Sequence, residues 1–218
     1  MLGQLTALQV RVLAILAPIQ PAWTLTGGGA LAGFHLRHRQ TRDLDLFWHG
    51  LRVFAREPAD CERLLAEAGM RVDVLQRGPS FVRMRTSLDN EVVVLDLVAE
   101  PVPPIEAPQL VLAEQATIRI DTEHEIFVNK LGTLLHRAEI RDLVDLESLL
   151  ARGADLQRGM RDAATKDGGF SPLMVGHLLH GFPLAKQAAA AGLSIAQTSA
   201  LDTFRRDLAA RIARISLP

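Results

Sequence analysis

The pattern of this chain predicts an α/β (α+β) amino-terminal domain, a mixed sheet flanked by helices, followed by an all-helical carboxy-terminal domain. Three observations carry that expectation. A strand, a triple glycine, a short helix and a second strand follow one another from Thr24 to Phe47; runs rich in strand formers recur between Met70 and Val98; and no convincing strand follows Asp121. The domains are therefore placed at 1–121 and 122–218.

Composition narrows the classes. A chain of 218 residues that is 48% hydrophobic can bury a sizeable core and is not disordered. With a formal net charge of −1 there is no global field toward nucleic acid or membrane, so any RNA contact must come from a local patch. The single cysteine, Cys61, excludes an intramolecular disulfide and a cysteine-rich zinc site, as suits a reducing, cytoplasmic setting. The apolar run Leu5 to Ile19 is interrupted by Gln9 and Arg11 and is short for a membrane span, so it reads as a core helix.

In order, that first helix is ended by Pro18 and Pro21. Trp23 to Thr26 reads as a strand broken by Gly27, Gly28 and Gly29, where backbone N–H groups can approach an anion; Ala30 to His38 reads as helix, and Arg42 to Trp48 as strand. Ala59 to Ala68 is an amphipathic helix closed by Gly69, with Cys61 on its packed side. Met70 to Leu75, Phe81 to Thr86 and Glu91 to Val98 read as strands, the last two joined by a turn at Leu88-Asp89-Asn90. Pro101 to Pro108 is a loop, and Thr117 to Ile120 a further short strand. Thr122 with Glu125 suggests a capping box opening one helix to Leu150, on which Lys130, Leu134, Arg137 and Arg141 fall along one line at roughly 100° per residue. Leu131, Leu135, Ala138, Leu146 and Leu149 form its apolar face, with Asp142 close by; 171–180, 183–191 and 194–215 read as later helices.

The chemistry concentrates in the first strands. Alternation puts Asp43 and Asp45 on one side of their strand and Leu44 and Leu46 on the other, and two adjacent carboxylates are comfortable only with a cation between them. Asp96 stands alone among β-branched residues, which is costly unless it is paired or metal-bound. A glycine turn beside such acids outlines a metal-dependent phosphoryl-transfer site, in which Mg2+ takes carboxylates and substrate phosphate oxygens. Each residue also has a plainer reading: Asp43 and Asp45 on a solvated strand face, Asp96 paired with an arginine, Lys130 a solvated cation, Asp142 paired with Arg39 or Arg141, and His35 and His38 packing on a helix.

The stretch GGGALAGFHLRHRQTRDLDLF resembles the first motif of the nucleotidyltransferase AbiEii/AbiGii toxin family, within the DNA polymerase beta-like nucleotidyltransferase superfamily. Its second half is His38, Arg39, Gln40, Thr41, Arg42, Asp43, Leu44, Asp45, Leu46 and Phe47; the family's later motif is met by Lys130, Arg137, Arg141, Asp142, Asp145 and Leu146. The likeness spans about residues 20 to 150. It implies the polymerase beta-like mixed sheet and a nucleotidyltransferase that releases pyrophosphate, with a nucleoside triphosphate as donor and an RNA, the 3′ end of a tRNA, as acceptor. It implies further a toxin with a cognate antitoxin. Asp43, Asp45 and Asp96 would hold two Mg2+ ions, or Mn2+ in their place; Gly27, Gly28, Gly29, Thr41, Lys130 and Arg137 would bind the nucleotide, with Lys130 catalytic at the leaving pyrophosphate and the helical domain closing over it. Arg39, Arg141, Asp142 and Asp145 would be structural, or of a role the motif leaves open. Where many relatives carry serine or threonine after the glycines, this chain has Gly29. Two alternatives stay open: a small antibiotic-type acceptor, and a non-catalytic nucleotide-binding module, for which Gly29 is the sole support.

Overall fold

The computed structural model describes residues 4–137 and 139–215. Ala138, expected on the apolar face of a long helix, lies outside them. The chain forms two compact units that divide between Thr122 and Glu123.

The first unit is a seven-stranded mixed sheet. In chain order its strands are β1 (Thr24–Thr26), β2 (Asp43–His49), β3 (Arg71–Arg77), β4 (Phe81–Leu88), β5 (Glu91–Glu100), β6 (Gln109–Ala113) and β7 (Ala116–Ile120), and they lie side by side as β3-β4-β5-β2-β1-β7-β6. The pairs β2–β5 and β1–β7 are parallel and the others antiparallel. Alternation decides which face is which: Leu44, Leu46 and Trp48 of β2 are fully buried between half-buried neighbours, and Leu95 and Leu97 of β5 join them in the core. Helix α1 (Ala7–Leu16) packs against β5, β6 and β7 and against helix α3 (Glu57–Glu67). Strand β6 was not expected from the sequence: its Leu110 and Leu112 are both exposed, so its five residues lack the clean alternation that betrays a strand.

Two local departures matter for the site. The glycines do not form a turn ahead of a helix at Ala30; the helix begins with them, as α2 (Gly27–Ala30), and runs on as a π-helical turn over Leu31–His35, ending where Arg37 takes a left-handed φ of 55°. Gln9, which interrupts the apolar run of α1, is 2% exposed: its Oε1 accepts from the Thr6 N–H while its Nε2 donates to the Thr41 carbonyl at 3.0 Å. Helix α1 is thereby tied to the residue two places ahead of the first aspartate.

The second unit is helical throughout its described residues: α4 (Glu123–His136), α5 (Ile140–Ala151), α6 (Leu156–Lys166), α7 (Pro172–His180), α8 (Leu184–Ala190) and α9 (Ile195–Ile212). The single helix expected to Leu150 is two, because α4 ends at His136 and Glu139 is extended (φ −106°, ψ 140°) before α5 begins. Glu125, expected in a capping box, instead has its carboxylate buried against Lys166. Helix α6, also unexpected, packs so closely on α4 that a Cβ on Gly159 would come within 2.4 Å of Phe127 Cε1. Among the described residues no helix is long and apolar enough to cross a membrane.

Candidate functional site

The parallel pairing of β2 with β5 sets Asp43 opposite Val94 and Asp45 opposite Asp96. Residues in register on adjacent strands project to the same side of a sheet, so Asp43, Asp45 and Asp96 share the face opposite the Leu44, Leu46 and Trp48 core. Asp43 and Asp45 are half-buried, and Asp96 is buried.

The glycines let a helix start immediately over this face. Gly27 has φ +59°, a left-handed conformation that side chains disfavour, and a Cβ there would lie 2.7 Å from Asp45 Oδ2. A Cβ on Gly28 would lie 2.8 Å from Arg39 Nη2 and 3.2 Å from Thr41 Oγ1. At Gly29 it would meet Leu25 Cδ1 and Leu44 Cδ2, each at 3.1 Å. Gly29, where relatives carry a hydroxyl, is thus accounted for by close packing against β1 and β2. The N–H groups of these residues belong to a first helical turn, which has no intrahelical acceptors for them.

Thr41, expected at the nucleotide, is turned to the first acid: its hydroxyl donates to Asp43 Oδ1 at 3.0 Å, with the Asp43 carbonyl at 3.2 Å. Arg39 lies against Gly28 and donates from Nη1 to the Gln40 carbonyl. His35 is hydrogen-bonded through Nε2 to the Asp121 carbonyl, a packing role within the first unit. Cys61 is buried, and burial pushes its thiol up out of the reactive range.

A residue the sequence reading did not single out stands beside Asp96. Arg83 of β4 faces it across the hairpin and donates to both oxygens, Nε to Oδ1 at 2.7 Å and Nη2 to Oδ2 at 2.6 Å. The hydrogen bonds to Asp96 hold the guanidinium above its ordinary range; burial opposes this, and the charges of Asp96, Asp43 and Asp45 reinforce it. A signal for the pair was present: the two-residue turn Asp89-Asn90 pairs Leu88 with Glu91, and counting back along both strands brings Arg83 opposite Asp96.

As a donor set, three carboxylates on one face suit a hard divalent cation in kind. Among the described residues, however, no three acids or histidines are gathered closely enough to hold one, and Asp96 is engaged by Arg83 at both oxygens. The residues fit the ion through Asp43 and Asp45, with Asp96 held back.

The remaining expected residues belong to the second unit. Lys130 is not part of an exposed basic stripe: its Nζ lies 2.6 Å from Asp142 Oδ1 and 2.8 Å from Asp145 Oδ2, and both acids are completely buried. Burial pushes the ammonium's pKa down, but Asp145 and Asp142 outweigh it and the net shift is upward. Asp142 is paired with Lys130, a partner that the sequence reading did not weigh for it, and Arg141 Nε lies 2.5 Å from Glu139 Oε2. The physical reason is the break at Glu139, which resets the helical phase that would have aligned Lys130, Arg137 and Arg141. Arg137 is half exposed, with Nε 3.8 Å from Asp142 Oδ2.

Solved structures with this architecture define the class. MenT4, a nucleotidyltransferase toxin from Mycobacterium tuberculosis H37Rv, matches with a TM-score of 0.63 and 16% identity over 96% of this chain and 82% of that one. JHP933 from Helicobacter pylori matches at 0.54 and 16% over 95% and 90%. An antigenic nucleotidyltransferase-like protein from Paracoccidioides brasiliensis matches at 0.50 and 13% over 86% and 93%. At these identities the likeness is one of fold, and the fold is that of nucleotidyltransferases. The chain belongs to the nucleotidyl transferase AbiEii toxin family of type IV toxin–antitoxin systems, whose model matches residues 11–212. It is a nucleotidyltransferase. No curated protein matches it.

Proposed function

We propose that the protein transfers a nucleoside monophosphate from a nucleoside triphosphate to a hydroxyl of RNA, the 3′ end of a tRNA, with a divalent cation at the acid face, and acts as a toxin whose partner is a cognate antitoxin. The observation that carries the reaction is the in-register approach of Asp45 and Asp96 on the face where Asp43 also projects, beneath Gly27. Family membership supports the toxin, and the acceptor follows from the motif resemblance.

In this reading Asp43 and Asp45 would hold Mg2+ with the triphosphate, and Thr41 orients Asp43 through its hydroxyl. The bound ion would neutralise phosphate charge and polarise the α-phosphoryl group. The first-turn N–H groups at Gly27, Gly28 and Gly29 cradle phosphate oxygens. Asp96 accepts the proton of the acceptor hydroxyl as its oxygen bonds to the α-phosphorus, and the bond from that phosphorus to the bridging oxygen breaks to release pyrophosphate.

Incubating the protein with labelled nucleoside triphosphates, Mg2+, tRNA and a panel of hydroxylated antibiotics tests this. Label is expected on tRNA, and Asp43→Asn is expected to reduce transfer by at least 1000-fold, on the order of an essential charge-stabilising group. Label on an antibiotic alone, or undiminished transfer by Asp43→Asn, would overturn it.

A further inference from the structure

We propose that Arg83 is a built-in counter-ion of the acid face, a positioning residue that holds Asp96 and competes with a divalent cation for its carboxylate. The inference rests on the metal reading above, which it deepens.

Strand order makes the competition geometric. Strand β5 lies between β4 and β2, so Asp96 has Arg83 on one side and Asp45 on the other. The guanidinium fork takes both oxygens of Asp96 from the β4 side, opposite the strand that carries the acids with which it would have to converge. That engagement accounts for three acids sharing a face without forming a group able to hold an ion. The fork takes one of the two lone-pair directions on each oxygen, and a guanidinium and a divalent ion on one carboxylate repel each other.

Arg83 is free to yield in a way Asp96 is not. Its side chain is 40% exposed against 9% for Asp96, so once an ion compensates the carboxylate the guanidinium has water to move into, while Asp96 stays fixed in the sheet. Without a metal, Arg83 offsets part of the repulsion among three carboxylates; its charge is felt at Asp43 and Asp45 as well as at Asp96. A bound ion would make that compensation redundant and would displace the fork from Asp96.

Binding of Mn2+ alone to the full chain, followed by loss of the free-ion electron paramagnetic resonance signal, reads this without recourse to activity. Arg83→Gln is expected to tighten Mn2+ binding roughly tenfold or more, the scale of removing one nearby positive charge. Arg83→Lys, which keeps charge but loses the fork, should tighten it less, and adding Asp96→Asn to Arg83→Gln should erase the gain. Binding by Arg83→Gln no tighter than by the parent, with Asp43→Asn weakening it, overturns the counter-ion role and leaves the metal reading intact. Equal binding by the parent and Asp43→Asn defeats the metal reading and this inference together. Should circular dichroism show Arg83→Gln unfolded, Arg83→Lys decides, and unchanged affinity there is the refuting result.

Discussion

Gly27 shows how one missing methyl group shapes the site. Its φ of +59° and the 2.7 Å approach of Asp45 Oδ2 to the position of its absent Cβ are independent reasons for glycine, one conformational and one steric. Gly27→Ala is expected to cost about 1–2 kcal/mol from the backbone alone, and also to push Asp45 from its place. Transfer activity should therefore fall much further than the urea midpoint does. Equal, small losses in both would show that the close approach does not matter to the site. Thr41 and Gln9 act at the same scale: each looks like an ordinary polar residue in sequence, yet a chain of hydrogen bonds from Thr6 through Gln9 and Thr41 ends on the Asp43 carboxylate.

Among the elements, α4 is fastened to α5 by a buried ammonium as well as by buried leucines. Lys130 of α4 is the close partner of Asp142 and Asp145 of α5, both with no exposed side-chain surface. Lys130→Met removes the close cation from both buried acids and is expected to cost about 3–5 kcal/mol. The pH dependence follows from the raised folded-state value. A group bound more tightly to its proton in the folded state contributes fully below its unfolded pKa, here near 10.5, and the contribution is lost as pH rises through the higher folded value. The gap in unfolding free energy between the parent and Lys130→Met should therefore not narrow from neutral pH to about 10, and should narrow above it. A gap that narrows between pH 6 and 9 would contradict the assignment. Periodicity alone could not find this clamp, because the extended Glu139 separates two helices whose combined residues mimic one. The β4–β5 hairpin is the contrasting case: its tight turn makes register countable, and the Arg83–Asp96 pair follows.

For the molecule as a whole, charge limits how an RNA can be recognised. The net charge is −1, and the arginine-rich last helix is largely self-paired, with Arg205 and Arg206 on Asp202 and Arg211 near Asp207. With a net charge of −1 there is no overall field to draw a polyanion in, so in the proposed reaction the RNA would be held through a few phosphates. The KM for tRNA is accordingly expected to rise with salt on a shallow logarithmic slope, of order 1 to 3. A slope as steep as that of proteins neutralising six or more phosphates would show that a larger basic surface exists. Sequence by itself determined the sheet-then-helices order, the identity of the acid strand and the shared side of Asp43 and Asp45, because alternation and glycine punctuation are local properties legible one residue at a time. Only tertiary structure decided that β5 lies against β2 in the register that sets Asp96 beside Asp45 and that Lys130 is enclosed, because non-local strand order and ion pairing between separate helices are chosen among partners distant in sequence, by the burial of each unit's own core.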